Sequence, residues 1–153
     1  MSMGMGLRKK AAVVAATTAL IAGAGVATAG SAWAGYKCAP GYHCVFATTY
    51  MAGSAQHNFF NSDYNFTDDY FDAGYSEDGS SLVGYGENVN DHVNAASNSS
   101  TGGYESHYYR DINFQGGLLF CVNPGSSVDL GLADWQRQAS SLQLRPTTTI
   151  HCF

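Results

Sequence analysis

The chain has 153 residues, 45% of them hydrophobic, with 7 Lys and Arg against 12 Asp and Glu and a formal net charge of −5. That length allows one hydrophobic core and not two. The acidic balance, without a basic patch, excludes nucleic acid and anionic membranes as partners, because neither phosphate neutralisation nor headgroup attraction is available.

The first predicted element is a signal peptide over residues 1–34. MSMGMGLRKK is a cationic start, AAVVAATTALIAGAGVATAG an apolar run of small residues, and Ala32-Trp33-Ala34 the small-x-small cleavage signal. Cleavage after Ala34 leaves Gly35 to Phe153 as one domain. Its cations are Lys37, Arg110, Arg137 and Arg145, four against all 12 carboxylates, for a net charge of −8. No later stretch approaches the roughly 18 apolar residues of a membrane span, so the chain is expected to be secreted and extracellular, with no membrane partner.

Helical periodicity is nearly absent after the signal. Short segments rich in Tyr, Phe and Val alternate with Gly, Asn, Asp and Ser, the pattern of an all-β sandwich or barrel. YHCVF, SAQHNFF, SHYYR, GLLFCV and SLQLR are predicted strands, and GSAQ and NPGSS predicted turns. The four cysteines are an even number in an exported chain, and their spacing favours disulfides Cys38–Cys44 and Cys121–Cys152. In the chain-entropy model these contribute about 2 and about 4 kcal/mol. The spacing lacks the C-x-x-C knuckles of a zinc site.

The chain also repeats itself. Phe46 precedes Gly53 by seven residues, as Tyr109 precedes Gly116. Each unit is followed by a closing segment, VNDHVNAASNSS in the half over about 36–100 and ADWQRQASSLQL in the half over about 101–153. Aligning Ser97 with Ser141 places Asn90 over Asp134 and Asn94 over Gln138. The first half is longer by an acidic, aromatic insertion, residues 61–81. Its cluster Asp68, Asp69, Asp72, Glu77 and Asp78 is expected to be a solvated loop. Tyr64, Phe66, Tyr70, Phe71, Tyr75 and Tyr85, in or beside it, either cover the sandwich or display a stacking surface for glycans or a protein.

The aromatic-x6-Gly element followed by an A-S-S-type strand resembles the βγ-crystallin Greek key. With the leading YKCAPGYHCVF, the chain resembles more narrowly the secreted actinobacterial peptidase inhibitors typified by the Streptomyces metalloproteinase inhibitor. The resemblance covers about Tyr36 to Leu144. It implies a βγ-crystallin-like Greek-key β-sandwich in which Phe46, Gly53, Ser97, Tyr109, Gly116, Trp135 and Ser141 are architectural. The glycine takes a conformation that a Cβ opposes, the aromatic packs on the turn and the serine caps it.

The implied function is inhibition of an extracellular protease, a metalloproteinase in that family, by a rigid disulfide-pinned loop. Cys121-Val122, followed by the Asn123-Pro124-Gly125 turn, is the candidate contact. The alternative is a non-catalytic extracellular module that binds cell wall or glycans.

Calcium-binding crystallins carry two adjacent Asn or Asp residues, two variable positions and Ser/Thr-Ser in the closing segment, hard oxygen donors for a hard cation. The alignment above puts Gln136-Arg137 and His92-Val93 at the acidic pair, and leaves Asn90-Asp91 displaced by two residues, so calcium is not expected. Asp63 to Asp68 lacks the glycine and glutamate of an EF-hand. The five histidines, His43, His57, His92, His107 and His151, show no metal-binding spacing, and no cofactor is expected. Ser140 and Ser141 lie outside any G-x-S-x-G, so no catalytic residue is assigned and the chain is not expected to be an enzyme.

Overall fold

The computed structural model describes residues 38–153 apart from 50–52, 75, 77–79 and 132. The signal segment, Gly35, Tyr75, Glu77 and Asp78 lie outside the described residues. Among the described residues eight strands form: β1 His43–Phe46, β2 Ala55–Phe59, β3 Ala73–Gly74, β4 Ala95–Asn98, β5 Tyr104–Asp111, β6 Gln115–Val122, β7 Ser127–Asp129 and β8 Ser141–Pro146. They pair antiparallel in two sheets, ordered β3-β2-β1-β4-β7 and β6-β5-β8. The fold is therefore the all-β Greek-key sandwich the repeat predicts, with both disulfides paired as expected, Cys38–Cys44 and Cys121–Cys152.

Each half lends a segment to the other's sheet. Strand β7, from the second half, pairs with β4 of the first. In return Asp63 of the first half exchanges two backbone hydrogen bonds with Leu142 of β8, at 2.8 and 2.7 Å. The halves are thus two Greek keys interlocked at the edges, and the exchange satisfies backbone groups that would otherwise leave open strand edges.

Alternation along the strands fills one main core and a small satellite cluster. Val45, Ala96, Tyr108, Phe120, Val122 and Leu142 point between the sheets, where Tyr108 stacks on Phe120 at 4.5 Å. Phe66 and Phe71 of the insertion are fully buried there, Phe66 stacked on Phe59 at 4.8 Å, while Tyr64, Tyr70 and Tyr85 stay exposed. The insertion thus covers the sandwich with its phenylalanines and shows its tyrosines to solvent. The opposite face of the first sheet carries a small satellite core of Cys38, Cys44, Phe46 and Ala95.

Residues 147–153 run back along the outer edge of β6. Phe153 donates its N–H to Cys121 O at 3.0 Å and accepts from Asn123 N at 2.8 Å, so this tail blunts the edge as an added strand would. Glu105, only 1% exposed, accepts from Thr148 N and Thr148 Oγ1 at 2.9 and 2.8 Å and anchors the start of the same tail.

Candidate functional site

Strand register corrects the internal alignment. Phe46 lies opposite Ala95, and Tyr109 opposite Ser141. Ala95, not Ser97, is therefore the counterpart of Ser141, and the alignment shifts by two residues. The backbone agrees: the shift places Asp91 over Arg137, two non-glycine residues at φ 57° and 58°. It also pairs reciprocal hydrogen bonds, Asp91 N to Ala139 O at 3.1 Å with Arg137 N to Val93 O at 2.9 Å. Ser141 caps its hairpin, donating to Asp111 O at 2.7 Å and accepting from Phe114 N at 3.2 Å. Ser97 does something else: its hydroxyl meets Ser127 Oγ at 3.0 Å and ties β4 to the exchanged β7.

The same shift moves Asn90-Asp91 into the place of the pattern's acidic pair and puts Asn94-Ala95, not Ser/Thr-Ser, at its end. Asp91 Oδ1 lies 3.4 Å from Ser140 Oγ across the two closing segments. Asn90 Oδ1 is buried there without a hydrogen-bond partner. Asn90 Nδ2 donates to Asp91 Oδ2 at 2.8 Å, so the amide lies against the carboxylate, and oxygens of these types are donors for a hard cation. The symmetry-related place does not fit. It holds Arg137, and Gln136 Nε2 donates to Asn94 Oδ1 at 2.6 Å, so the oxygen that would face an ion is already bonded.

Val122 is also corrected. It is fully buried in the main core, and its carbonyl accepts from Asn98 Nδ2 at 2.9 Å. Cys121, at 2% exposure, lies under the tail. The Cys121-Val122 step is therefore not an exposed contact, because β6 continues its inward alternation from Phe120 and the tail covers the other face. The exposed disulfide-pinned segment is the Cys38–Cys44 ring, whose Ala39 and Pro40 face solvent. Ser99 braces it at three points: Gly41 N to Ser99 O at 2.7 Å, Ser99 N to Tyr42 O at 2.9 Å and Ser99 Oγ to Cys38 O at 2.9 Å.

Beside this ring a groove of about 450 Å³ opens at one end of the sandwich, between the end of β2 and the linker that joins the halves. Among the described residues its lining includes His43, Phe60, Asn61, Ser62, Thr101 and Tyr104, and no Asp, Glu, Lys or Arg. Phe60 and Tyr104 are 63% and 45% exposed, and Tyr42 meets Phe60 edge-on at 5.6 Å. His43 Nδ1 shares a 2.6 Å hydrogen bond with Ser106 Oγ, and burial lowers its pKa to about 4, so the groove is uncharged at neutral pH. Nothing in the sequence brings these residues together, since they come from β1, the β2 end, the linker and β5.

Among the described residues of the acidic cluster, Asp69 departs from a solvated loop. Asp69 is half-buried, its Oδ1 lying 3.4 Å from His57 Nε2. Burial, reinforced by Asp63, raises its pKa to about 6 in spite of that histidine. Trp135 packs half-buried against the core with Phe153 tilted across it, ring centroids 5.7 Å apart. Of the histidines, His107 alone joins a cluster of metal-ligating side chains among the described residues, with Cys121 and Cys152. Its strand register opposite Cys121 makes that meeting, which spacing in sequence does not reveal.

No protein-family model matches the chain, and no curated protein matches it. Among solved structures it is similar to a chain described under "Evolution of the eye lens beta-gamma-crystallin domain fold", at 16% identity and a TM-score of 0.49, covering 74% of this chain and 94% of that one.

Proposed function

We propose that the protein is a non-catalytic extracellular module that binds a neutral glycan in the groove beside the Cys38–Cys44 ring. The observation that carries this reading is the groove's chemistry: exposed aromatic rings and hydroxyl and amide groups, with no charged side chain among the described residues. Sugar rings offer C–H faces to aromatics and hydroxyls to such polar groups, whereas a charged ligand would lose its hydration without a counter-charge. Two disulfides suit an oxidising compartment, and among the described residues no helix is long and apolar enough to cross a membrane. Binding to chitin, peptidoglycan and soluble oligosaccharides tests the reading. Phe60→Ala and Tyr104→Ala should each weaken binding by about 1.4 kcal/mol, a factor of ten, without changing the melting curve. Unchanged affinity in both variants would remove the groove from consideration.

Inhibition of a peptidase is the second reading, and one observation favours it. Ala39-Pro40 is an exposed segment held by a disulfide and by three hydrogen bonds to Ser99, so it loses little entropy on docking. Stoichiometric inhibition of a thermolysin-like enzyme that survives Phe60→Ala but not Pro40→Asp supports it over the glycan reading. In either case a divalent cation held by Asn90, Asp91 and Ser140 would join the two closing segments and stiffen the module. Its role there is structural.

A further inference from the structure

We infer that the Cys121–Cys152 disulfide closes over a latent Zn²⁺ site, which the reduced protein assembles from both thiolates and His107. The sulfurs and an imidazole nitrogen lie within 4.8 Å of one another, and all three residues are buried. His107 Nε2 donates to Glu105 Oε2 at 2.8 Å, while Nδ1 is buried with no partner. A carboxylate behind one ring nitrogen fixes the ring and directs the other nitrogen's lone pair, the arrangement that orients metal-ligating histidines. Glu105 is itself held by Thr148, accepting from its N–H and its hydroxyl.

The ligands stay in place without the S–S bond. His107 and Cys121 are cross-strand partners in the second sheet. Cys152 is held by its neighbours, through the two backbone bonds of Phe153 and through Asn123 Nδ2, which donates to Cys152 O at 3.1 Å. Two thiolates neutralise a dication, and thiolate with imidazole is a donor set for zinc. The fourth position falls to a water from the cleft of about 270 Å³ that Cys121 lines together with Trp135, Ile150 and Phe153. Opening the site takes two electrons. A phosphine reductant supplies them, acquiring an oxygen from water as the disulfide becomes two thiols, and Zn²⁺ then displaces both thiol protons.

The test uses the protein carrying Cys38→Ser and Cys44→Ser, so that Cys121 and Cys152 are its only thiols. It is reduced anaerobically with a phosphine and titrated with Co²⁺ and then Zn²⁺. The expected result is one Co²⁺ per chain, with sulfur-to-cobalt charge-transfer and tetrahedral d–d bands, displaced by Zn²⁺. A retained strand spectrum and a higher melting temperature should accompany the metal. His107→Gln, which keeps a donor for Glu105, should weaken binding at least about tenfold, and Cys152→Ser should abolish it. Should His107→Gln fail to fold, the Cys152→Ser chain decides. The inference is overturned if metal binds equally well to the tested variant, if the stoichiometry is not one, or if the reduced chain binds only after its strand spectrum is lost.

Discussion

At the scale of single residues, a displacement of two positions decides what Asp91 can do. Placed over Arg137 by the register, it faces Ser140, with Asn90 Oδ1 unpartnered beside it. A cation that binds only the folded chain raises stability by mass action. Calcium at about 5 mM, above the weak affinities of extracellular modules, should therefore raise the melting temperature, and Asp91→Asn should abolish most of that rise. Asparagine is the informative replacement because it tolerates the left-handed backbone at φ 57° and removes only the charge. A rise that persists in Asp91→Asn would move the cation elsewhere. This register is hard to read from the sequence because serines crowd the end of the first closing segment, and Ser97 is the more obvious match to Ser141. The opposition of Phe46 and Ala95 has no signature in composition. The burial of Val122 was legible by contrast: it shares inward parity with Phe120, and alternation alone places it in the core.

At the scale of elements, the predicted strands formed because their aromatic and β-branched residues alternate, and the disulfide pairing followed from spacing. Strand β7 is not among the predicted strands, and its first residue falls in the predicted NPGSS turn, because its three residues carry only one buried apolar side chain, Val128. What creates it is the open edge of β4, a partner distant in sequence. The repeat glycines were legible, since Gly53 and Gly116 both adopt the left-handed region, at φ 74° and 73°. Their surroundings differ. A Cβ on Gly53 would meet nothing within 4 Å, whereas one on Gly116 would lie 2.5 Å from the Asp111 carboxylate and 3.0 Å from Arg110 Cβ. Gly53→Ala should therefore cost only the backbone term, about 1–2 kcal/mol, and Gly116→Ala measurably more. Urea unfolding of the two variants side by side checks the order, and equal losses would show that the β5–β6 hairpin yields to the new methyl group.

At the scale of the whole molecule, the repeat suggests two halves, but the pairing makes neither of them self-sufficient. A cut between Ser100 and Thr101 separates β4 from β7, and β8 from its bridge to Asp63. It also divides the main core, in which Phe59, Phe66 and Phe71 of the first half pack with Phe120, Val128 and Leu142 of the second. Each half would be left with exposed apolar faces and unpaired strand edges, at a size where a single core is marginal even when complete. Each half also keeps its own disulfide, because both bonds lie within a half, so cross-linking does not explain any failure to fold. Residues 36–100 and 101–153, produced separately and oxidised, should each lack a cooperative thermal transition, while an equimolar mixture should regain one as a heterodimer. Dispersed amide resonances and a sharp melt from either half alone would show that the exchange of edges decorates two independent folding units instead of making them one.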